Sequence, residues 1–146
     1  MKNMLAKRVL SAFLALTTQL AASSEQTIVC PTELPADAMK IVKSPQGWQP
    51  FISSPLYLHS AAPIFGPPER LGRIIGRTTT RPKGESTVEY DDLDSPPPEG
   101  VWFSCDYGDG NEFSIAKKLP AGIKSCVVKY RKGEKAGQND LDIKCK

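Results

Sequence analysis

Pro31, Pro35, Pro45, Pro50, Pro55, Pro63, Pro67 and Pro68 interrupt the first half of the chain every few residues, and they constrain the fold more than any other feature. Each proline removes a backbone donor and turns its predecessor away from the helical region. Helices of ordinary length are therefore excluded here, and short strands and loops are expected. One helical turn fits near Pro35 to Met39. A second fits at Pro67 to Leu71, because proline is tolerated at a helix start. The acidic, proline-rich stretch Asp91 to Gly100 reads as a surface connection between two halves that need each other to fold.

The N-terminus has the zones of an export signal. Lys2, Lys7 and Arg8 precede a mostly apolar run from Val9 to Leu20, and the small residues Ala21-Ala22-Ser23 follow. Ser11, Thr17, Thr18 and Gln19 dilute a run already too short for a membrane span of about 20 residues, so no stable membrane anchor is expected. The predicted organisation is a signal peptide over 1–23 and a single mainly β periplasmic domain over 24–146. Removing Lys2, Lys7 and Arg8 from a chain with 19 basic and 16 acidic residues leaves 16 of each. The apparent positive charge thus belongs to the signal, and with it goes the hint of a nucleic-acid partner. The basic clusters Arg70 to Arg81 and Lys129 to Lys135 read as solvated faces.

The last third alternates with the period of a strand. Val101, Phe103, Cys105 and Tyr107 share one face, opposite Trp102, Ser104 and Asp106. Asp109-Gly110 then signals a hairpin turn, Glu112 to Lys118 continues as a strand, and Pro120 to Gly122 turns again. Cys126, Val128 and Tyr130 alternate, as do Leu141, Ile143 and Cys145. Arg73-Ile74-Ile75 and Thr87 to Tyr90 supply earlier strands. The expected fold is mainly β: an antiparallel meander of four strands in a sandwich-like single domain, with two disulfides and at most short helical turns.

Cys30, Cys105, Cys126 and Cys145 form an even set in an exported chain, which implies two disulfides. They lack a C-x-x-C pair, so a zinc site is not expected. If Tyr130 stands opposite Leu141, Cys126 faces Cys145 at a separation close to that of a bridge, leaving Cys30 with Cys105. The rival pairing, Cys105–Cys126 with Cys30–Cys145, closes a short loop and ties the chain ends, and the sequence leaves both open.

No constellation points to catalysis, a metal or a cofactor. His59 has no nucleophile placed beside it by the sequence. Glu89, Asp91, Asp92 and Asp94 lie in a polar stretch that would not raise a carboxyl pKa. Asp106, Asp109, Asn111 and Glu112 break the spacing of a calcium loop and read as a hairpin turn. There is no phosphate-binding glycine loop. Binding is the remaining chemistry, with Trp48, Phe51, Phe65 and Trp102 as large apolar residues near turns. Trp102 is the better interface candidate, since tryptophan is a frequent hot-spot residue.

Cys30-Pro31, Gly47-Trp48, Phe65-Gly66-Pro67-Pro68-Glu69, Gly100-Val101-Trp102-Phe103-x-Cys105-x-Tyr107, Leu119-Pro120-Ala121-Gly122, Cys126, Tyr130 and Cys145 together resemble a small family of bacterial periplasmic proteins. Members are encoded beside type VI secretion effectors of the L,D-transpeptidase-like kind and look like their immunity proteins. The resemblance spans nearly all of 24–146. It implies no catalytic residues, and it implies a secreted cell-wall-acting effector enzyme as the partner, neutralised by occlusion of its active site. The contact residues then expected are Trp48, Phe65, Pro67, Glu69 and Trp102. Two other functions fit the same compartment: an inhibitor of lysozymes, and a non-catalytic structural protein of the envelope.

Overall fold

The computed structural model describes residues 24–146, so the expected signal at 1–23 lies outside the described residues. Nine strands follow in order: β1 (Gln26–Ile28), β2 (Glu33–Leu34), β3 (Leu56–Phe65), β4 (Arg77–Thr80), β5 (Ser86–Tyr90), β6 (Val101–Tyr107), β7 (Phe113–Lys118), β8 (Cys126–Lys132) and β9 (Asn139–Cys145). They form two antiparallel sheets, one ordered β1-β9-β8-β5-β4 and the other β2-β3-β6-β7. The fold is mainly β and sandwich-like. Its helical structure among the described residues is single 3-10 turns, two of them at Ala36–Ala38 and Pro68–Arg70, where prolines open them.

The alternating residues meet in one core. Ile28, Tyr90, Val128 and Ile143 come from the first sheet, Leu58, Phe103 and Tyr107 from the second, and Leu93, Leu119 and Ile123 from the connections. Full burial of one such side chain stabilises by about 1.5–3 kcal/mol, which is why the connections are pinned as firmly as the strands. The loop 91–100 runs over the surface as expected but is anchored by one residue: Leu93 is fully buried, and its N–H donates to Lys124 O at 2.9 Å.

Strands β8 and β9 pair with Tyr130 opposite Leu141, Val128 opposite Ile143 and Cys126 opposite Cys145. That register joins Cys126 to Cys145 within one sheet and leaves Cys30 to bond Cys105. Cys30 follows β1 and Cys105 lies in β6, so the second bond runs from sheet to sheet.

Three expectations about the strands are corrected. The last four strands are not one meander, because β7 pairs only with β6, and the Pro120–Gly122 turn carries the chain to the other sheet. Arg73–Ile75 is no strand; it contributes one bridge, Arg73 to Ile64, and leaves Ile75 97% exposed, while the strand forms at Arg77–Thr80. Pro63 does not interrupt structure but sits inside the ten-residue β3, opposite Phe103. The N–H of Ala61 reaches Tyr130 and that of Phe65 donates to Gly72 O, so alternate residues of β3 turn their backbone groups away from β6. Pro63 shares their parity, and its missing donor costs the ladder no bond.

Removing the sheet-to-sheet bond in a Cys30→Ser/Cys105→Ser variant is expected to lower unfolding stability by about 2–5 kcal/mol. Urea unfolding measures it, and non-reducing peptide mapping of the native chain should yield Cys30–Cys105 and Cys126–Cys145 peptides.

Candidate functional site

Strand β6 is central in its sheet, and both of its faces are covered. Phe103, Cys105 and Tyr107 point into the core, while Ser104 (5% exposed) and Asp106 (3% exposed) are buried on the opposite face. Their cross-strand neighbours are small. Ala62 and Ala116 flank Ser104, and Ser60 and Ser114 flank Asp106. Small residues at these positions leave a depression, and the segment after β3 walls it in. The result is a cleft of about 330 Å³ lined by Ser60, Ala62, Ser104, Asp106 and Ser114 from this sheet face, by Pro68, Leu71, Arg73 and Ile74 from the segment, and by Tyr90 and Tyr130 from the first sheet.

Asp106 forms the polar floor. Its Oδ1 accepts from Ser104 Oγ at 2.6 Å and Ser114 Oγ at 2.7 Å. Its Oδ2 lies 3.2 Å from Ser60 Oγ, which also stands 3.0 Å from Asn111 Oδ1. A serine hydroxyl has one proton, so Ser60 serves one of these acceptors at a time. Asp106 therefore belongs to the strand, as its alternation with Trp102 and Ser104 indicated, and not to the hairpin turn with which Asp109, Asn111 and Glu112 had grouped it. The turn reading holds for the others: Asn111 has φ 56°, and Glu112 Oε2 accepts from Gly110 N–H at 3.2 Å. Among the described residues, no group of three or more His, Cys, Asp or Glu is placed to hold a metal ion.

Tyr130 closes the edge of the cleft. Its hydroxyl donates to Ala61 O at 2.8 Å and accepts from Ala61 N–H at 3.4 Å, a substitute for the strand that β3 lacks there. Burial raises its pKa, with the Asp106 charge adding in the same direction against the Ala61 bond. Tyr90 is raised by burial and then by Tyr130 beside it. Tyr107, whose hydroxyl donates to Pro31 O at 3.0 Å, is pushed up to about 12 by burial and then by Asp106. His59 is not among the cleft-lining residues. It sits in β3 with Nδ1 2.8 Å from Gly137 O; a carbonyl only accepts, so Nδ1 carries the proton. The cleft thus offers hydrogen bonds and a buried charge to a bound group, with no imidazole beside its hydroxyls.

The wall segment is fastened at both ends. Gly66 N–H donates to Gly100 O at 3.0 Å, and Arg70 pairs with Glu99 at 2.6 Å. Gly66 has φ +77°, a conformation that favours glycine. Phe65 N–H donates to Gly72 O at 2.8 Å, and a Cβ on Gly72 would collide with the Phe65 carbonyl.

Register and this loop bring four of the five expected contact residues together. Trp102 stands opposite Ile64, the residue before Phe65, and its Nε1–H donates to Glu99 O at 3.2 Å. Pro67 and Glu69 flank the cleft-lining Pro68. These four adjoin the cleft without lining it. Trp48, 74% exposed, belongs to another segment, where its N–H donates to Pro45 O at 3.0 Å and its carbonyl accepts from Ser44 Oγ. Sequence reasoning missed Ser60, Ser104, Ser114, Tyr90 and Tyr130 as site residues. The serines' signal was an outer strand face of small polar side chains, which looks like any solvated face until a loop covers it, and the two tyrosines alternate with core residues.

Fold and cleft define the class: a disulfide-bridged, two-sheet β protein presenting a preformed, anionic-floored cleft on one face. Residues 53–146 match the type VI secretion system Tli immunity protein family, and the chain belongs to that family. The match runs from just before β3 through β9, leaving β1, β2 and Trp48 outside it. No curated protein and no solved structure matches the chain.

Two measurements check this site. Tyr130→Phe leaves the Ala61 backbone groups without their side-chain partner and is expected to destabilise by about 1–3 kcal/mol in urea unfolding. Tyr90, Tyr107 and Tyr130 hold their protons more tightly folded than unfolded. The stability this contributes is complete below about pH 10, the ordinary tyrosine value, and is lost as pH rises through the higher folded values. Tyrosinate absorbance should therefore develop for these three only together with alkaline unfolding seen by circular dichroism.

Proposed function

We propose that this immunity protein is exported by a cleaved signal at 1–23 and that residues 24–146 work in the periplasm as a single domain. There it binds a secreted peptidoglycan-targeting effector of the L,D-transpeptidase-like kind and blocks the effector's active site without chemistry of its own. Family membership of residues 53–146 carries the immunity reading. The resemblance of the motifs around Phe65 and Trp102 supports the effector class. Two disulfides and no free cysteine among the described residues suit an oxidising compartment. Among the described residues, no helix is long and apolar enough to cross a membrane.

Occlusion needs a firm surface, because ordering a loose one consumes affinity. The end of the second sheet supplies one, where the 66–72 segment is fastened to Gly100, Glu99 and Phe65. A stable inhibitory interface covers about 1,200–2,000 Å² in total, with a few anchors carrying most of the energy. Phe65, Pro67, Glu69 and Trp102 are the proposed anchors, with Trp48 as a separate contact.

The test uses the effector encoded beside this gene. Mature protein is expected to bind it and to abolish its peptidoglycan activity at equimolar ratio. Trp102→Ala and Glu69→Lys should weaken binding at least about tenfold. Full-length chain, but not residues 24–146 kept in the cytoplasm, should protect cells that receive the effector in the periplasm. Absence of binding and of protection contradicts the reading.

A further inference from the structure

Among the described residues, the buried Asp106 carboxylate has no cationic partner. Five ion pairs join described residues, and none includes it. Arg73 lines the same cleft but is exposed and makes no ion pair with Asp106. Arg70 is already engaged by Glu99. A carboxylate has room for about four hydrogen bonds. Here Oδ1 receives two, and Oδ2 shares the single proton of Ser60 with Asn111. A buried charge is expensive unless paired, and this one lies on the floor of an opening bounded by Ile64, Leu71 and Ile74.

The walls and floor complement one kind of side chain. Arginine and lysine carry an apolar stem and a cationic head, and they bury the stem where the head finds a charge partner. A guanidinium would add donors to the under-served Oδ2, and the charged bond is stronger than one between neutral groups. At about 330 Å³ the cleft is at the low end of ligand pockets, with room for a long side chain. Ser114 is exposed, whereas Asp106, to which it donates at 2.7 Å, is buried, so the two mark an open and a buried part of one lining.

We infer that this cleft receives a basic side chain, arginine by preference, from the effector, and that Asp106 is its counter-charge. This rests on the immunity reading for the identity of the partner, but not for the existence of the cation site.

Two arms separate those failures. In the first, mature protein is titrated with L-argininamide at millimolar concentration, with L-citrullinamide as neutral isostere, and amide NMR shifts are followed. Shifts at Ser104, Asp106 and Ser114 are expected with argininamide alone, and their loss is expected in Asp106→Asn. Equal shifts with both probes, or none, overturn the inference whatever the effector does. In the second arm, affinity for the effector of the neighbouring gene is compared among wild type, Asp106→Asn and Ser114→Lys. The lysine comes from an exposed strand position and places a competing ammonium at the rim, so it keeps the test valid should Asp106→Asn fold poorly. Each variant with a native circular dichroism spectrum should bind at least about 30-fold more weakly. Undiminished affinity in folded variants overturns the cleft as the contact. Selective argininamide binding with no effector binding by wild type upholds the cation site and refutes the immunity reading for that effector.

Discussion

The bond between Cys30 and Cys105 organises this molecule, because it is the covalent tie between its two sheets. Cys30 comes just after β1, which lies against β9 in the first sheet; Cys105 lies in β6, central in the second. The bond fixes where the chain leaves one sheet for the other. Tyr107 adds to the tie by donating to Pro31 O next door. With the sheets held, the polar contacts between them become affordable: Tyr130 on the Ala61 backbone, His59 on Gly137 and Asn139 on His59. Cys126–Cys145 plays a different part, locking one hairpin within a single sheet.

The outer face of β6 follows from the same arrangement. A core on one side forces Ser104 and Asp106 to the other, and small neighbours on β3 and β7 let loop 66–74 close over them. The loop stays closed because Gly66 adopts a positive φ, Gly72 lets the Phe65 carbonyl approach closely, and Arg70 grips Glu99. The proposed binding surface and the fold are therefore not separable here. The wall of the cleft is a continuation of β3, and its floor is the strand that carries the sheet-to-sheet disulfide.

Much of this was legible in the sequence where the information is local. The alternation of Cys126, Val128 and Tyr130 against Leu141, Ile143 and Cys145 made one register, and with it one of the two open pairings, possible, and the structure adopts that register. Prolines marked the turns at 36–38 and 68–70. What local alternation does not carry is the identity of a strand's neighbour, which is why β7 and β8 looked like a continuing meander although they belong to different sheets. Pro63 looked like a breaker because its tolerance depends on which side of β3 faces β6. Asp106 could be read both as the outer face of the strand and as the start of the turn at Asp109-Gly110; its place on the strand was legible, whereas its burial depends on a loop some 35 residues earlier in the chain. Of the residues expected as contacts, Phe65 and Trp102 lie near one another because Ile64 pairs with Trp102 and Phe65 with Val101, a juxtaposition that local alternation does not carry.

On the reading proposed above, the face of the second sheet around the cleft meets the effector. Hydrogen–deuterium exchange of the mature protein, free and bound to the effector of the neighbouring gene, measures this directly. Protection is expected to concentrate in residues 60–74, 99–106 and 114–118, with β1, β4 and the outer parts of β8 and β9 unchanged. Protection centred on those strands instead, with the cleft face exchanging as in the free protein, would contradict the account.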